Sequence, residues 1–210
     1  MRCGTRCLRQ KEFCRAMKVA IVKYNAGNIA SVQNALGRLN VSSEVTDDPD
    51  VLSCADKVIF PGVGEASTAM QYLCERGLDK VIKSVTQPVL GICLGMQLLC
   101  SHTEENDTDC LGIFPNKVKR FISNDLKIPH MGWNTISNLQ QPLFADVNEH
   151  SSVYFVHGYY VEMSDESTAM CNYGIDFAAA FQHENFYAVQ FHPEKSGAVG
   201  ERILENFLNL

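Results

Sequence analysis

The chain lacks any apolar run long enough to cross a membrane. Its purely apolar segments are short, such as Val19 to Val22, whereas a spanning helix needs roughly 18 apolar residues. Of the 210 residues, 46% are hydrophobic and 20% are charged, as in an ordinary globular domain. We therefore predict a soluble protein with a single domain and one core.

The chain also lacks an excess of positive charge. Its 18 Lys and Arg residues are outnumbered by 24 Asp and Glu residues, which gives a formal net charge of -6. Because contacts to phosphates need clustered basic side chains, this balance argues against nucleic-acid binding. Small-molecule chemistry or binding to another protein is the expectation.

The nine cysteines lack the paired CxxC spacing of a zinc site, and their number is odd. Most lie inside apolar segments, as reduced core thiols do, for example Cys54, Cys74 and Cys100. These features predict a cytoplasmic protein without a disulfide framework. No metal ion and no cofactor are predicted.

Residues 1–16 lack the apolar centre of a signal peptide. They combine basic side chains with cysteines: Arg2, Arg6, Arg9, Lys11 and Arg15, with Cys3, Cys7 and Cys14. We predict a disordered leader or a start codon assigned too far upstream, followed by one domain over residues 17–210. An organellar transit peptide and metal binding by the three thiols are the alternatives.

From residue 18 onward, short apolar runs alternate with amphipathic segments. The pattern predicts strands near residues 19–24, 43–45, 58–60 and 89–92, with helices at 29–39, at 67–76 and after Cys93. Asn28 is the predicted N-cap of the first helix. Such alternation is typical of βαβ units and a parallel sheet.

Beyond about residue 111 the pattern changes to short strands separated by turns. Strands are predicted at 117–122, 153–156, 178–182 and 187–191, followed by a helix at 200–208. The expected fold class is therefore α/β, with a central, mostly parallel sheet flanked by helices and an additional antiparallel portion in the second half.

Three segments contain residue types that suit nucleophilic catalysis. In GICLG (residues 91–95) the glycines permit a sharp strand-to-helix turn that exposes Cys93, and the helix start favours its thiolate. In FHPE (191–194), His192 could move the thiol proton while Glu194 orients the imidazole, because residues two apart in an extended segment share one side. PGVGE (61–65) could present backbone N–H groups to an oxyanion.

Each segment also has a purely structural explanation. Cys93 could be a small buried residue at a turn, His192 and Glu194 could be surface side chains, and PGVGE could be an ordinary connection. Gln97 lies one turn after Cys93 and could bind a substrate or have no role. The joint occurrence of the three segments favours catalysis.

Together these segments resemble the class-I (triad) glutamine amidotransferases, over residues 17–210. Within that class, three further segments are similar to the family of glutaminase subunits of imidazole glycerol phosphate synthase: YNAGN (24–28), PHMGWN (129–134) and YFVHGYY (154–160). The HMGWN segment is the most specific of these. Gly158 stands where the family often has Ser.

The resemblance implies a flavodoxin-like domain that hydrolyses L-glutamine through a thioester on the cysteine. It also implies a heterodimer with a (β/α)₈-barrel cyclase, which receives the ammonia and forms imidazole glycerol phosphate and an aminoimidazole carboxamide ribotide in histidine biosynthesis. The site residues carried over are the nucleophile Cys93, the base and acid His192, its orienting partner Glu194, and the oxyanion and substrate residues Gly62, Val63, Leu94, Gln97 and Glu105.

The same resemblance implies a partner surface that includes Asn25, Asn28, His130, Met131, Gly132 and Trp133. Trp133 would then be exposed in the isolated chain, whereas the only Trp of a chain is otherwise expected in the core. The alternatives are a glutaminase that supplies a different synthase, a self-sufficient cysteine hydrolase or peptidase, and a non-catalytic regulatory subunit.

Overall fold

The structure is a computed structural model that describes residues 17–24 and 28–210. The predicted leader and the predicted interface residue Asn25 lie outside the described residues. Within the part that is described, no helix combines the length and apolarity needed to cross a membrane.

The described residues form thirteen strands and six α-helices. The strands are β1 (Val19–Val22), β2 (Ser43–Thr46), β3 (Lys57–Phe60), β4 (Val89–Ile92), β5 (His102–Thr103), β6 (Thr108–Asp109), β7 (Lys117–Arg120), β8 (His130–Ser137), β9 (Ser152–His157), β10 (Tyr159–Val161), β11 (Ser167–Asn172), β12 (Asp176–His183) and β13 (Phe186–Val189). The helices are α1 (Ile29–Arg38), α2 (Pro49–Cys54), α3 (Ala66–Glu75), α4 (Leu78–Ser84), α5 (Leu94–Leu99) and α6 (Gly197–Leu208), and a 3-10 turn covers Pro193–Lys195.

Nine strands form one large sheet in the order β2-β1-β3-β4-β13-β12-β11-β8-β9. Pairing is parallel from β2 to β13 and antiparallel from β13 to β9. The parallel half has the strand order of flavodoxin-like folds. The predicted α/β class, with its antiparallel portion in the second half, is confirmed. A smaller sheet has the order β10-β7-β5-β6.

Helices cover both faces of the parallel strands, which explains why these strands are almost continuously apolar. Ile21 of β1 belongs to the same core cluster as Leu36 of α1 and Phe207 of α6. Its neighbour Val22 belongs to the cluster that contains Leu73 of α3, because successive strand residues point to opposite faces. Neither face of the strand is open to solvent.

The topology brings two distant segments of the chain together. Cys93 directly follows β4, and His192 lies just beyond β13, and these two strands are hydrogen-bonded neighbours in parallel register. Parallel strands end at the same edge of the sheet, which is where open α/β folds bind ligands. The candidate site is therefore at the carboxyl edge of β4 and β13.

Candidate active site

Cys93 stands on a strained turn between β4 and α5. Its backbone has φ 53° and ψ -107°, and its N–H donates to the Val189 carbonyl at 2.8 Å. The flanking glycines allow this turn: a Cβ added at Gly95 would lie 1.9 Å from the carbonyl oxygen of Phe60. The predicted turn and helix are confirmed, since β4 ends at Ile92 and α5 begins at Leu94. The predicted exposure of Cys93 is wrong, because the residue is 6% exposed and opens only to a cavity.

His192 and Glu194 form a buried pair. Nδ1 of His192 lies 2.8 Å from Oε1 of Glu194, and each side chain is 1% exposed. The predicted meeting of these side chains is observed, but the predicted extended backbone is wrong. After extended His192, residues Pro193–Lys195 turn as a 3-10 helix, which carries the carboxylate back toward the ring.

The environment of His192 favours its charged form. Burial lowers its pKa, but the interactions with Cys93 and Glu194 outweigh this effect and raise the pKa to about 10. Nε2 of His192 is buried and has no hydrogen-bond partner in the described part of the chain. The free ring nitrogen is thus available to a substrate beside Cys93.

Asn28 provides a contact to this pair that the sequence did not indicate. Its Nδ2 donates to Oε1 of Glu194 at 2.7 Å, the same oxygen that faces His192. Asn28 occupies the predicted N-cap position of α1, but its side chain makes no capping hydrogen bond. Its backbone is left-handed, with φ 73°, which turns the amide away from the helix and toward the carboxylate.

The PGVGE loop lies against the turn at Cys93 but does not form the predicted open oxyanion hole. The Leu94 N–H donates to the Gly62 carbonyl at 3.3 Å, so this donor already has an acceptor. Tyr24 anchors the loop by donating its hydroxyl to the Pro61 carbonyl, and burial raises the pKa of Tyr24 well above its usual value. The predicted oxyanion donor Leu94 is therefore not free in this arrangement.

A cavity of about 320 Å³ opens beside Cys93. Its lining includes four of the five predicted substrate and oxyanion residues, Val63, Leu94, Gln97 and Glu105, but not Gly62. The end of β9 and the residues after it form another wall, with Val156, His157, Gly158 and Tyr159. A larger cavity of about 710 Å³ is lined by the amino ends of β1 and β2. It lies at the opposite edge of the sheet from Cys93.

Two predicted substrate residues are tied to the protein itself. Gln97 is 5% exposed and its Nε2 donates to Oε1 of Gln190 at 3.0 Å. Glu105 accepts from the Ala66 N–H at the start of α3 at 2.8 Å, and burial raises its pKa. Gly158 has no atom within 4 Å of an added Cβ, so a serine would fit there.

Gln190 is a further residue that the sequence analysis missed. It is fully buried, and its Nε2 lies 3.7 Å from the Cys93 sulfur. The available signal was a single polar residue between apolar neighbours just before the FHPE segment. No group of three or more His, Cys, Asp or Glu side chains among the described residues could hold a metal ion.

The predicted partner residues of β8 divide into an exposed and a buried set. Met131 is 60% exposed and Trp133 is 59% exposed, so the predicted exposure of Trp133 is confirmed. Gly132 lies between them with φ 136°. His130 is only 3% exposed, and its side chain therefore does not belong to the outer surface.

A family model described as glutamine amidotransferase class-I matches residues 20–210. The chain belongs to this family. Among curated relatives of this amidotransferase, the imidazole glycerol phosphate synthase subunit HisH of Bacteroides fragilis (strain YCH46) is 58% identical over 196 residues, covering 92% of this chain and 100% of the relative. The HisH subunit of Escherichia coli (strain K12) is 46% identical over the same shares of the two chains.

Solved structures show the same fold as this amidotransferase. A crystal structure described as a glutamine amidotransferase has a TM-score of 0.70 at 18% identity, covering 90% of this chain and 97% of that chain. PurLQS from Thermotoga maritima has a TM-score of 0.69 at 17% identity, with 92% and 98% covered. These identities are too low to carry more than the fold.

Proposed function

We propose that this chain hydrolyses L-glutamine to glutamate and ammonia as the glutaminase subunit of an imidazole glycerol phosphate synthase. The observation that carries the chemistry is the buried His192–Glu194 pair next to Cys93, with the nucleophile facing a cavity of about 320 Å³. The choice of synthase rests on the HisH relatives, which are aligned with this chain over their whole length.

In the first half of the reaction, the Cys93 thiolate attacks the side-chain amide carbon of glutamine. The carbonyl electron pair moves to oxygen, and when the tetrahedral intermediate collapses, the imidazolium of His192 protonates the departing ammonia. A glutamyl thioester remains on Cys93. The raised pKa of His192 supports this role, because the ring starts with the proton that it must donate.

In the second half, neutral His192 takes a proton from water, whose oxygen attacks the thioester carbon. Collapse of the second intermediate releases glutamate and restores the Cys93 thiolate. Glu194 holds the Nδ1 proton of His192 throughout, so that Nε2 is the atom that exchanges protons with the reactants. Asn28 fixes the carboxylate in turn.

Both tetrahedral intermediates need donors for their oxyanion, and Leu94 is the proposed donor on the nucleophile turn. Its N–H is bound to Gly62 in this structure. We therefore expect slow hydrolysis by the isolated chain, and faster hydrolysis when a partner stabilises an arrangement of the loop that frees this N–H. Loss of one oxyanion donor typically reduces kcat by roughly 10²–10³-fold.

The partner in this proposal is a (β/α)₈-barrel cyclase that receives the ammonia and makes imidazole glycerol phosphate. Its docking surface on this chain would include the exposed Met131 and Trp133, which are side chains of the kind enriched in interfaces. A cytoplasmic location belongs to the same proposal and is supported by the six free cysteines of the described residues.

The test is glutamate production from glutamine by the purified chain, with and without the cyclase and its ribotide substrate. We expect strong stimulation by the loaded partner and none in the Cys93→Ala variant. Equally fast hydrolysis without the partner would instead identify a self-sufficient hydrolase. Tight binding of the partner without Cys93-dependent turnover would identify a regulatory subunit.

A further inference from the structure

Two buried histidines that the triad does not use lie against each other behind the exposed face of β8. His130 of β8 is directly opposite His157, the last residue of β9, in the antiparallel pair. The side chains are 3% and 5% exposed, and Nδ1 of His130 lies 3.0 Å from Nε2 of His157. Such a buried polar contact is stable only when each proton faces an acceptor.

The surrounding groups determine where the protons must be. Nδ1 of His157 lies 2.6 Å from the Tyr159 carbonyl, which can only accept, so this nitrogen carries a proton. Nε2 of neutral His157 then accepts from Nδ1–H of His130. Nε2 of His130 in turn accepts from the Asn134 amide at 3.3 Å. The result is a series of hydrogen bonds in which each group donates to the next, from Asn134 through His130 and His157 to the Tyr159 carbonyl. Both rings are neutral in this series.

The protein holds both rings in place. The ring of His130 is stacked between Phe155 and Tyr173, at centroid distances of 4.8 and 4.0 Å. Burial lowers the pKa of His130 to about 4 and that of His157 to about 3. Both histidines are therefore neutral near pH 7, which agrees with the directed series.

The series continues to the nucleophile. The Tyr159 carbonyl that accepts from His157 also accepts from Nε2 of Gln97 at 3.4 Å. Gln97 donates to Gln190, whose own amide lies 3.7 Å from the Cys93 sulfur. His157 and Tyr159 also line the cavity beside Cys93. Displacement of His157 would therefore change both the cavity wall and the contacts of Cys93.

At its other end, the series of hydrogen bonds begins with Asn134 and His130 on β8, the strand that also carries exposed apolar side chains. Because residues alternate along β8, His130 points inward while Met131 and Trp133 point outward. Anything that binds the outer face of β8 sits on the same strand that holds His130. His130 itself is buried and contacts His157 of the cavity wall.

We propose that the His130–His157 pair is a positioning element of the glutamine site, holding the Val156–Tyr159 wall in register with Cys93 and joining that wall to the outer face of β8. The proposal rests on the proposed glutaminase function of the same cavity. Neither histidine touches the reacting atoms.

The first test is the protonation state of the two rings, by long-range ¹⁵N–¹H NMR correlation on the full chain near pH 7.5. We expect both histidines to be neutral, with the proton on Nδ1 in each. A proton on Nε2 of either ring, or a charged ring, would overturn the proposal. This outcome does not depend on any enzyme assay.

The second test compares His130→Asn with His130→Gln in the glutaminase assay with the cyclase and its ribotide. The amide nitrogen of Asn is attached to Cγ, as Nδ1 of His is, so Asn retains the donor to His157. Gln places its amide at the Nε2 position and loses that donor, although it fills the space better. We expect kcat within about threefold of the unaltered chain for Asn and on the order of tenfold lower for Gln, with smaller changes in KM.

A role in packing alone predicts the opposite order, because Asn leaves the larger void. The matched control is Phe177→Leu, which alters the same aromatic cluster but no hydrogen bond of the series. It should lower the melting temperature and leave kcat unchanged below that temperature. If His130→Gln keeps full kcat, or His130→Asn is the slower variant, the proposal is wrong.

The two proposals fail in different ways. Absence of Cys93-dependent glutamate production by the unaltered chain would contradict the proposed function, while the NMR measurement would still decide the arrangement of the histidine pair. Normal, partner-stimulated turnover combined with an unaffected His130→Gln variant would contradict the positioning role alone.

Discussion

Cys93 occupies a backbone conformation that few residues with a side chain adopt, with φ 53° and ψ -107°. Strain of this kind costs about 1–3 kcal/mol and persists only where the surroundings enforce it. The enforcing contacts include the bond from the Cys93 N–H to Val189 and the close approach of Gly95 to the carbonyl of Phe60. Cys93 is only 6% exposed, and its position in the cavity wall thus depends on its neighbours.

Gly95→Ala is expected to lower the free energy of unfolding by about 3 kcal/mol, because its Cβ would lie 1.9 Å from the Phe60 carbonyl oxygen. Urea unfolding measures this change. The matched control is Gly37→Ala in α1, where an added Cβ has no atom within 4 Å. That variant should be unchanged or more stable by up to about 1 kcal/mol. Equal effects at the two sites would contradict the packing argument.

Asn28→Ala removes a hydrogen bond to the Glu194 carboxylate and is expected to reduce kcat about tenfold, since the carboxylate then orients His192 less firmly. Asn28→Asp should be slower still, because it places a second negative charge beside Glu194. Partner-stimulated glutamate production gives the measurement, with Gln33→Ala on the exposed face of α1 as the control. If Asn28→Ala is as fast as the control, Asn28 has no orienting role.

Among the elements, β8 presents its outer side chains to solvent while its inner ones pack against the aromatic cluster. Trp133→Ala is expected to weaken cyclase binding by about 2 kcal/mol, on the order of thirtyfold in Kd, and to leave the melting temperature nearly unchanged. Calorimetric titration with the cyclase gives the affinity. Met17→Ala, at the opposite edge of the sheet, should bind normally. Unaltered affinity of Trp133→Ala would place the partner elsewhere.

The elements that sequence patterns predicted are the long or strongly apolar ones, such as β4, α1 and α3. Two short helices were missed, since the six residues of α2 and the seven of α4 are too few to display a clear apolar period. The eight-residue β8 was missed as well, because its sequence HMGWNTIS lacks a run of apolar residues. The prediction had an extended segment at Pro193–Lys195, where the structure has a 3-10 turn. Asn28 was assigned to a helix cap by residue type, whereas its partner is a carboxylate distant in sequence.

At the scale of the whole molecule, three buried histidines make the free energy of unfolding depend on pH, and they do so in opposite directions. The unfolded pKa of His is about 6.5. His192, with a folded pKa of about 10, contributes stability that is complete below pH 6.5 and is lost as pH rises toward 10. His130 and His157, with folded pKa values of about 4 and 3, contribute stability above pH 6.5 that is lost as pH falls toward 4 and 3 respectively.

The combined contribution of these histidines is expected to be greatest near pH 6.5, with slopes of up to about 1.4 kcal/mol per pH unit for each group. Urea unfolding at pH 5, 6.5 and 9 measures it. His192→Gln should flatten the alkaline side, and the double variant His130→Asn with His157→Asn should flatten the acid side. Unchanged slopes in both variants would show that other groups dominate.

The sequence alone determined the fold class and the chemically active residue types, because apolar periodicity and the glycines around Cys93 are local properties of the chain. Only the tertiary structure decided which distant groups meet: Asn28 with Glu194, Gln190 with Cys93, and His130 with His157. It also decided that the Leu94 N–H is already bound to Gly62. The physical reason is that hydrogen bonds between distant segments depend on strand order, register and backbone rotation, and a linear pattern contains none of these.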